Sequence, residues 1–165
     1  MSILVRAAAQ DDAPALVRLR LANAERHVQL DQAVYRMPDV GAVRRHFEEM
    51  LSGAESKVVI LVAEVVGEVV GMVELVLRAD PPDHQILIPR RSADIHTVVV
   101  DGHRGEGIGR ALLMAAEQAA TERGVSIIYA GIFAPNKGAV RFYSSAGFEP
   151  RGTLLSKEQG VHSAN

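Results

Sequence analysis

The sequence predicts an α/β domain whose central sheet contains both antiparallel and parallel strand pairs. Two segments with apolar residues at helical spacing, residues 14–25 and 39–51, precede two adjacent apolar runs at residues 58–66 and 68–77. Strand-like and helix-like patterns then alternate from residue 93 to residue 155. This order of elements is typical of a mixed sheet flanked by helices. With 165 residues, the chain has the usual length of a single domain that buries a full core.

The first half of the chain contains recognisable helix and turn signals. An acidic cap before Pro14 begins the first helix, Asp39 caps the second, and Gly53 ends it. Gly67 separates two apolar runs and therefore predicts a β-hairpin. In chain order, we expect a strand at 2–6, a helix from 11–14 toward Glu25, an irregular segment at 30–38, a second helix, the hairpin of 58–66 and 68–77, and a loop at 81–91.

The second half alternates strands with helices. Gly124 and Gly147 each follow an apolar-periodic segment, which indicates a helix end at both positions. In chain order, we expect a strand at 93–100, a helix at 108–123, a strand at 126–133, a helix at 136–146, a last strand at 148–155 and a loose tail from 156 to 165.

The composition excludes several classes of site. The chain has no cysteine, which excludes disulfides, thiolate metal sites and a cysteine nucleophile. Its formal net charge of −2, with mixed signs along the chain, argues against a general nucleic-acid surface. The apolar runs are too short for a membrane span, and the N-terminus lacks signal-peptide features, so we expect a cytoplasmic protein without membrane partners. No metal is expected, because no ligand spacing joins His27, His46, His84 and His162.

A glycine-rich loop follows the predicted strand at 93–100. Gly105, Gly107 and Gly109 can adopt backbone angles closed to other residues, and Arg104 adds a permanent cation. The next helix begins with unpaired N–H groups at the positive end of its dipole, which predicts a phosphate or pyrophosphate site. The glycine spacing matches neither the dinucleotide nor the P-loop pattern. A connection that needs glycine only for packing is the alternative.

Two motifs together resemble one known family. Residues 104–109, Arg-Gly-Glu-Gly-Ile-Gly, match the R/Q-x-x-G-x-G/A signature of the GCN5-related N-acetyltransferase (GNAT) family. About 27 residues later, residues 134–148 are similar to its second motif, N-x-x-A-x-x-F-Y-x-x-x-G-F. The clear match covers residues 58–152, and the first 57 residues match in pattern only. Asp101 and His103 stand where the family usually has proline and an aromatic residue.

The resemblance implies the acyl-CoA N-acyltransferase fold, with central strands that splay apart, and acetyl-CoA as the cofactor. It implies that Tyr143 is the general acid for the leaving thiolate, and a phenol has a suitable proton affinity for that role. The alternative for Tyr143 is a packed core tyrosine, and for Asn136 an ordinary helix cap. The implied cofactor-binding residues are Val98, Val99, Val100, Arg104, Gly105, Glu106, Gly107, Ile108, Gly109, Arg110, Asn136 and Tyr143.

An amine acceptor is a cation near pH 7 and must lose a proton before it attacks. Asp94 and His96 share one face of the strand before the glycine loop, and imidazole titrates near this range. Glu74 lies within an apolar strand on the same face as Glu68 and Arg78. Asp94, His96 and Glu74 are therefore candidate bases. The alternative for Glu74 is a solvated sheet face.

The sequence thus predicts acetyl transfer to a primary amine, on a small molecule or a peptide, by direct attack in a ternary complex. A non-catalytic acyl-CoA sensor or interaction protein with the same fold is the alternative, and a nucleotide-binding domain with a chance motif is a third possibility. Arg90 and Arg91 in the loop at 81–91 suggest an acceptor with a carboxylate or phosphate. The resemblance to the family also implies that the chain can form a homodimer.

Overall fold

The fold was obtained as a computed structural model that describes residues 2–53 and 57–160. His162 and the end of the predicted tail lie outside the described residues. Residues 156–160 are exposed and belong to neither a helix nor a strand. In the described ranges, no helix combines the length and the apolar character that a membrane crossing requires.

The described residues form one five-stranded sheet with the order β1-β2-β3-β4-β5. The first three strand pairs are antiparallel, and β4 pairs with β5 in parallel, as the predicted mixture requires. The strands are β1 (Ile3–Ala7), β2 (Val58–Val65), β3 (Glu68–Leu77), β4 (Ser92–Val99) and β5 (Ile127–Tyr129).

Helices cover both faces of the sheet, and a hydrophobic core lies on each side. The helices are α1 (Ala13–Leu30), α2 (Val40–Leu51), α3 (Ile108–Glu122) and α4 (Lys137–Ser145). Leu75, Ile95 and Leu112 belong to the core on the side of α3 and α4. Leu16 and Phe47 belong to the core on the side of α1 and α2. Because side chains alternate along a strand, each core strand contributes to both cores.

The β4 and β5 strands separate soon after they pair. Only Ser92, Ala93 and Asp94 have partners on β5 in the part of the chain that the structure describes. From Ile95 to Val99, β4 continues beside β3 without β5 on its other side. This opening is the predicted splay, and it leaves one edge of β4 accessible from the side of α3 and α4.

The hairpin and the second helix begin and end as the sequence predicts. Asp39 Oδ2 accepts a hydrogen bond of 2.8 Å from the Ala42 N–H, which confirms the cap of α2. Between β2 and β3, Val66 and Gly67 form a two-residue turn with φ values of 51° and 77°. Both values are positive, as a type I′ hairpin turn requires.

The prediction that an acidic side chain caps the first helix is wrong, because this side chain binds other groups. Asp12 precedes α1 but makes no side-chain cap bond to that helix. Its carboxylate instead accepts bonds of 2.7 and 2.9 Å from Arg6 and one of 2.7 Å from the Ala9 N–H. The Arg6 guanidinium lowers the pKa of this buried carboxyl. Asp12 therefore ties β1 to the short 3₁₀ turn at Gln10–Asp12.

One predicted strand and two predicted boundaries also differ from the structure. The last strand, predicted at 148–155, is absent from the described chain, and Leu154 and Leu155 are 96% and 86% exposed. Pro150 lacks the N–H that a sheet ladder needs, and Gly152 weakens strand formation. The β5 strand ends at Tyr129 rather than Phe133. The first helix continues beyond Glu25 to Leu30.

Candidate functional site

A cavity of about 760 Å³ lies where the separated end of β4 meets the starts of α3 and α4 and the end of α1. Its wall is mostly apolar near the strand and carries several cations near the glycine loop. The residues that line it are Asn23, Arg26, His27, Gln29, Leu30, Thr97, Val99, His103, Arg104, Gly105, Gly107, Ile108, Gly109, Arg110, Asn136, Gly138, Ala139, Phe142, Tyr143 and Ser145. The sequence prediction for the glycine loop, Asn136 and Tyr143 therefore converges on one cavity.

The glycine loop has the backbone conformation that its sequence favours. Gly105 and Gly107 have φ values of 76° and 85°, in the left-handed region where a side chain is strained. Gly107 is the residue that precedes α3, so the free N–H groups of the first helical turn follow it directly. A Cβ atom on Gly109 would lie 3.1 Å from Phe142 Cε2, so glycine here allows α4 to pack closely on α3.

The backbone of β4 offers its free hydrogen-bonding groups at fewer positions than predicted. The Val100 N–H donates to Val70 O on the β3 side, at 2.9 Å. Because successive strand residues direct these groups to opposite sides, Val98 also faces β3. Thr97 and Val99 face the opening instead. Of the three residues predicted to pair with a ligand, Val98 and Val100 thus direct their backbone groups to β3, and Val99 faces the opening together with Thr97.

Tyr143 is buried at the opening, with 7% of its surface exposed. Its hydroxyl donates a hydrogen bond of 3.0 Å to Thr97 Oγ1, which positions the phenol at the free edge of β4. Its ring also packs edge-on against Phe142 and Phe148. Burial raises the pKa of the Tyr143 hydroxyl above its ordinary value, against the opposing effect of its bonds with Thr97. The phenol therefore keeps its proton at neutral pH.

The position of Asn136 is compatible with both roles that the sequence left open, a helix cap and a ligand contact. Its Oδ1 accepts a hydrogen bond of 3.2 Å from the Ala139 N–H and so caps α4. The same residue lines the cavity. Its amide nitrogen carries two further donors, which leaves it able to bind a ligand.

Arginine and histidine side chains surround the loop before α3. Arg26 and Arg104 lie 3.6 Å and 3.3 Å from the Asp101 carboxylate, and His103 Nδ1 lies 2.9 Å from Glu106 Oε2. Glu106, predicted as a ligand-binding residue, does not line the cavity and instead contacts His103. Asp101 and His103, the two departures from the family pattern, thus hold the charged groups of this loop in place.

The three candidate bases lie on the face of the sheet opposite to that of Thr97. Glu74 is 5% exposed and accepts a hydrogen bond from Arg20, so the solvated face suggested for it is wrong. Asp94 lies 3.7 Å from Arg78. His96 is exposed. None of the three is among the described residues that line the cavity. Their catalytic role stays a prediction.

Arg90, one of the two arginines suggested for acceptor binding, contacts the start of β5. Its guanidinium donates to Ser126 O at 3.1 Å, while the Ser126 N–H donates to Arg91 O at 2.9 Å. Neither arginine is among the described residues that line the cavity.

The end of α1 contributes residues that the sequence analysis did not single out as site residues. Asn23, Arg26 and His27 line the cavity only because α1 continues beyond its apolar stripe. In residues 2–53 and 57–160, no group of three or more His, Cys, Asp or Glu side chains is arranged to hold a metal.

Comparison with known families decides the assignment. Residues 24–148 match the acetyltransferase (GNAT) family, which covers most of the chain. The chain belongs to the GNAT family. The match includes the glycine loop, Tyr143 and the cavity-lining end of α1.

A curated relative of this GNAT chain is an uncharacterised N-acetyltransferase of Methanocaldococcus jannaschii. The two are 43% identical over 63 residues, which is 38% of this chain and 28% of the relative. The matched segment thus spans little more than a quarter of that protein.

Solved structures confirm the GNAT fold. A variant of a Bacillus halodurans protein superposes with a TM-score of 0.85 at 22% identity, over 94% of this chain and 99% of the other. An aminoglycoside N-acetyltransferase in complex with CoA has a TM-score of 0.73 at 16% identity, over 96% and 95%. A ribosomal-protein-alanine N-acetyltransferase of Brucella melitensis has a TM-score of 0.72 at 29% identity, over 96% and 91%. At the two lower identities, the likeness shows the fold alone.

Proposed function

We propose that this GNAT chain transfers an acetyl group from acetyl-CoA to a primary amine by direct attack in a ternary complex. One observation carries the proposal: the free edge of β4 leads into the left-handed glycine loop, and the Tyr143 hydroxyl lies at that same edge. A phosphate site, an extended backbone edge and a proton donor thus occur along a single cavity.

The residues present fit the cofactor. The N–H groups that follow Gly107 at the start of α3 suit a diphosphate, since the helix dipole adds to their attraction for anions. Arg104 and Arg110 line the same part of the cavity and add positive charge. The backbone groups of Thr97 and Val99 would pair with the amides of the pantetheine arm as a neighbouring strand does. When bound, acetyl-CoA would supply the acetyl group on a thioester.

Tyr143 is suited to protonate the leaving sulfur. It is a protonated phenol at neutral pH, because burial raises its pKa. Removal from water also raises the proton affinity of a thiolate, so burial shifts donor and acceptor in the same direction. The chain has no cysteine to form a thioester of its own, which favours direct attack by the amine. Positioning and fixed backbone dipoles would supply most of the rate enhancement.

The neighbours support an amine acceptor and a CoA-type cofactor. Their names describe acetyl transfer to an aminoglycoside and to the alanine of a ribosomal protein, and one is in complex with CoA. We extend to this chain only what these acceptors share, a primary amine.

Calorimetry and a thiol-release assay test the proposal. We expect the wild-type chain to bind acetyl-CoA, and to release thiol when suitable amines from a panel are added. Gly107→Ala should weaken acetyl-CoA binding by at least about tenfold, or 1.4 kcal/mol, because alanine is strained at φ 85° and the N–H groups beyond it lose their alignment. Gly53→Ala is the matched control, since Gly53 has φ 78° and equally open surroundings but lies at the end of α2.

Two outcomes would replace the proposal. Acetyl-CoA binding without thiol release by any amine would favour the non-catalytic sensor. Binding of NAD or ATP without binding of acetyl-CoA would favour a nucleotide-binding domain.

A further inference from the structure

His27 is a titratable side chain in the cavity that the proposed function leaves without a role. It lies near the end of α1 and lines the cavity together with Tyr143 and Thr97. Those two residues mark the place where the free edge of β4 meets the proposed acid. An imidazole in the wall of the same cavity is therefore available to a substrate that occupies it.

The backbone of α1 determines which nitrogen of His27 carries the hydrogen. Nδ1 lies 2.8 Å from Asn23 O. A carbonyl oxygen can only accept a hydrogen bond, so Nδ1 is the donor. In the neutral imidazole the lone pair is then on Nε2, and this is the form in which histidine acts as a base.

An aromatic contact restrains the His27 ring. Its centroid is 4.9 Å from that of Tyr35, which lies in the loop between α1 and α2. The Tyr35 ring is in turn 5.1 Å from Phe133, in the segment that follows β5. Both contacts are edge-to-face, the arrangement that aromatic pairs prefer. These contacts connect the His27 ring, through Tyr35, to the segment that follows β5.

The charges around His27 favour a neutral amine. The charged or titratable groups on the cavity wall come from every element around it: Arg26, His103, Arg104, Arg110 and Tyr143, with Tyr35 in contact with the ring. These groups include no carboxylate, and the nearby Asp101 and Glu106 carboxylates are paired with Arg26, Arg104 and His103. An ammonium ion therefore has no carboxylate on the described cavity wall to stabilise its charge, which favours the neutral amine.

We infer that His27 is the catalytic base that takes the proton from the acceptor amine, an inference that rests on the proposed acetyl transfer. The amine nitrogen forms a bond to the acetyl carbon and gives one proton to His27 Nε2. The bond between that carbon and sulfur breaks, the electron pair leaves with sulfur, and Tyr143 supplies its proton. The imidazolium then loses its proton to water, and the phenolate regains one. This assignment replaces His96, Asp94 and Glu74 in that role.

His27→Asn is the informative variant, because the asparagine amide can still donate to the Asn23 carbonyl while no basic nitrogen remains. We expect kcat/KM at pH 7 to fall about 10²- to 10³-fold, with acetyl-CoA affinity within about twofold. The acidic limb of the pH profile of kcat/KM should disappear, because no basic side chain remains at this position. Added imidazole should restore part of the rate. His46→Asn is the control, since His46 is exposed on α2 and does not line the cavity.

Chemical modification of His27 tests its position in the cavity without a measurement of turnover. Diethylpyrocarbonate modifies unprotonated imidazole nitrogen, and mass spectrometry locates the modified residue. Coenzyme A should slow modification of His27 and leave that of His46 unchanged. The far-ultraviolet circular dichroism of His27→Asn should match the wild type; His27→Gln serves as the second variant if it does not.

The outcomes separate this inference from the proposed function. Wild-type acetyl-CoA binding and amine-dependent thiol release, with an unchanged rate and pH profile in His27→Asn, would overturn the role of His27 alone. The same holds if His96→Asn, rather than His27→Asn, abolishes the acidic limb. A variant that loses acetyl-CoA affinity instead of kcat would show a binding residue. Failure of the wild type to bind acetyl-CoA would overturn both.

Discussion

The β2–β3 pair and the β4–β5 pair join neighbouring strands of the same sheet in opposite ways. In the first pair, eight positions on β2 have partners on β3, and a two-residue turn connects the strands. In the second, only three positions pair before the strands separate, and α3 lies between them in sequence. The first pair satisfies its backbone groups within the sheet, whereas the second leaves some of them facing the cavity.

This difference separates stability from ligand binding. An antiparallel hairpin brings together residues that are close in sequence, so its contacts form at small cost in chain entropy. A strand edge that stays unpaired gains nothing from the ladder, but it keeps hydrogen-bonding groups available for another molecule. Substitutions in the two pairs should therefore affect different properties of the protein.

The largest effect on stability is expected at Leu75 in β3. Leu75 is 1% exposed and pairs with Val59 on β2 and Ile95 on β4. Leu75→Ala leaves a cavity in this core and should lower the free energy of unfolding by about 2–5 kcal/mol in urea titrations. Leu154→Ala, at a position that is 96% exposed, should change it by less than about 0.5 kcal/mol. A change in the acetyl-CoA affinity of the folded Leu75→Ala protein would break the proposed separation.

At the β4–β5 opening, the expected effect is on activity, and it is tested at Tyr143. Tyr143→Phe removes the proton donor and should lower kcat by about 10²-fold, or 2.7 kcal/mol of activation free energy. Loss of the bond to Thr97 should cost only about 1 kcal/mol of stability. Because burial raises the pKa of the wild-type phenol, its loss of a proton should not limit kcat near neutral pH.

Stopped-flow kinetics and calorimetry with acetyl-CoA check this expectation. Tyr129→Phe is the matched control, since Tyr129 contacts Arg78 and does not line the cavity. An unchanged kcat in Tyr143→Phe, measured where chemistry limits turnover, would leave Tyr143 as a packing residue.

The smallest effect is expected at the turn of the β2–β3 hairpin, and it is stabilising. Val66 has φ 51° and is 93% exposed, so a β-branched residue occupies a conformation that it disfavours. Asparagine tolerates this region and is preferred in type I′ turns. Val66→Asn should raise the free energy of unfolding by about 0.5–1 kcal/mol in urea titrations, with kcat unchanged. A loss of stability would show that Val66 has a packing role.

Elements with strong local signals could be predicted from the sequence. The hairpin is marked by Gly67, and the second helix is marked by Asp39. The glycine loop is similarly explicit, because glycine is required for the left-handed angles at positions 105 and 107. In each case the decisive interaction lies within a few residues of the signal.

The remaining parts of the site depend on contacts distant in sequence. The last turns of α1 lack an apolar stripe, because their side chains face a cavity rather than a core, and His27 was therefore not among the predicted site residues. Periodicity placed His96 and Asp94 on one face correctly but could not show which face meets the cavity. Thr97, which lies between the two predicted sets, was overlooked for that reason.

The backbone groups of successive β4 residues face alternate sides, and this affects how the sequence can evolve. If Thr97 and Val99 hold a cofactor through their peptide groups, most substitutions of their side chains leave that attachment in place. In the proposed site, the acceptor would be met by side chains from α1, where a single replacement alters size or charge. Selection could thus exchange one amine for another while the acyl donor stays the same.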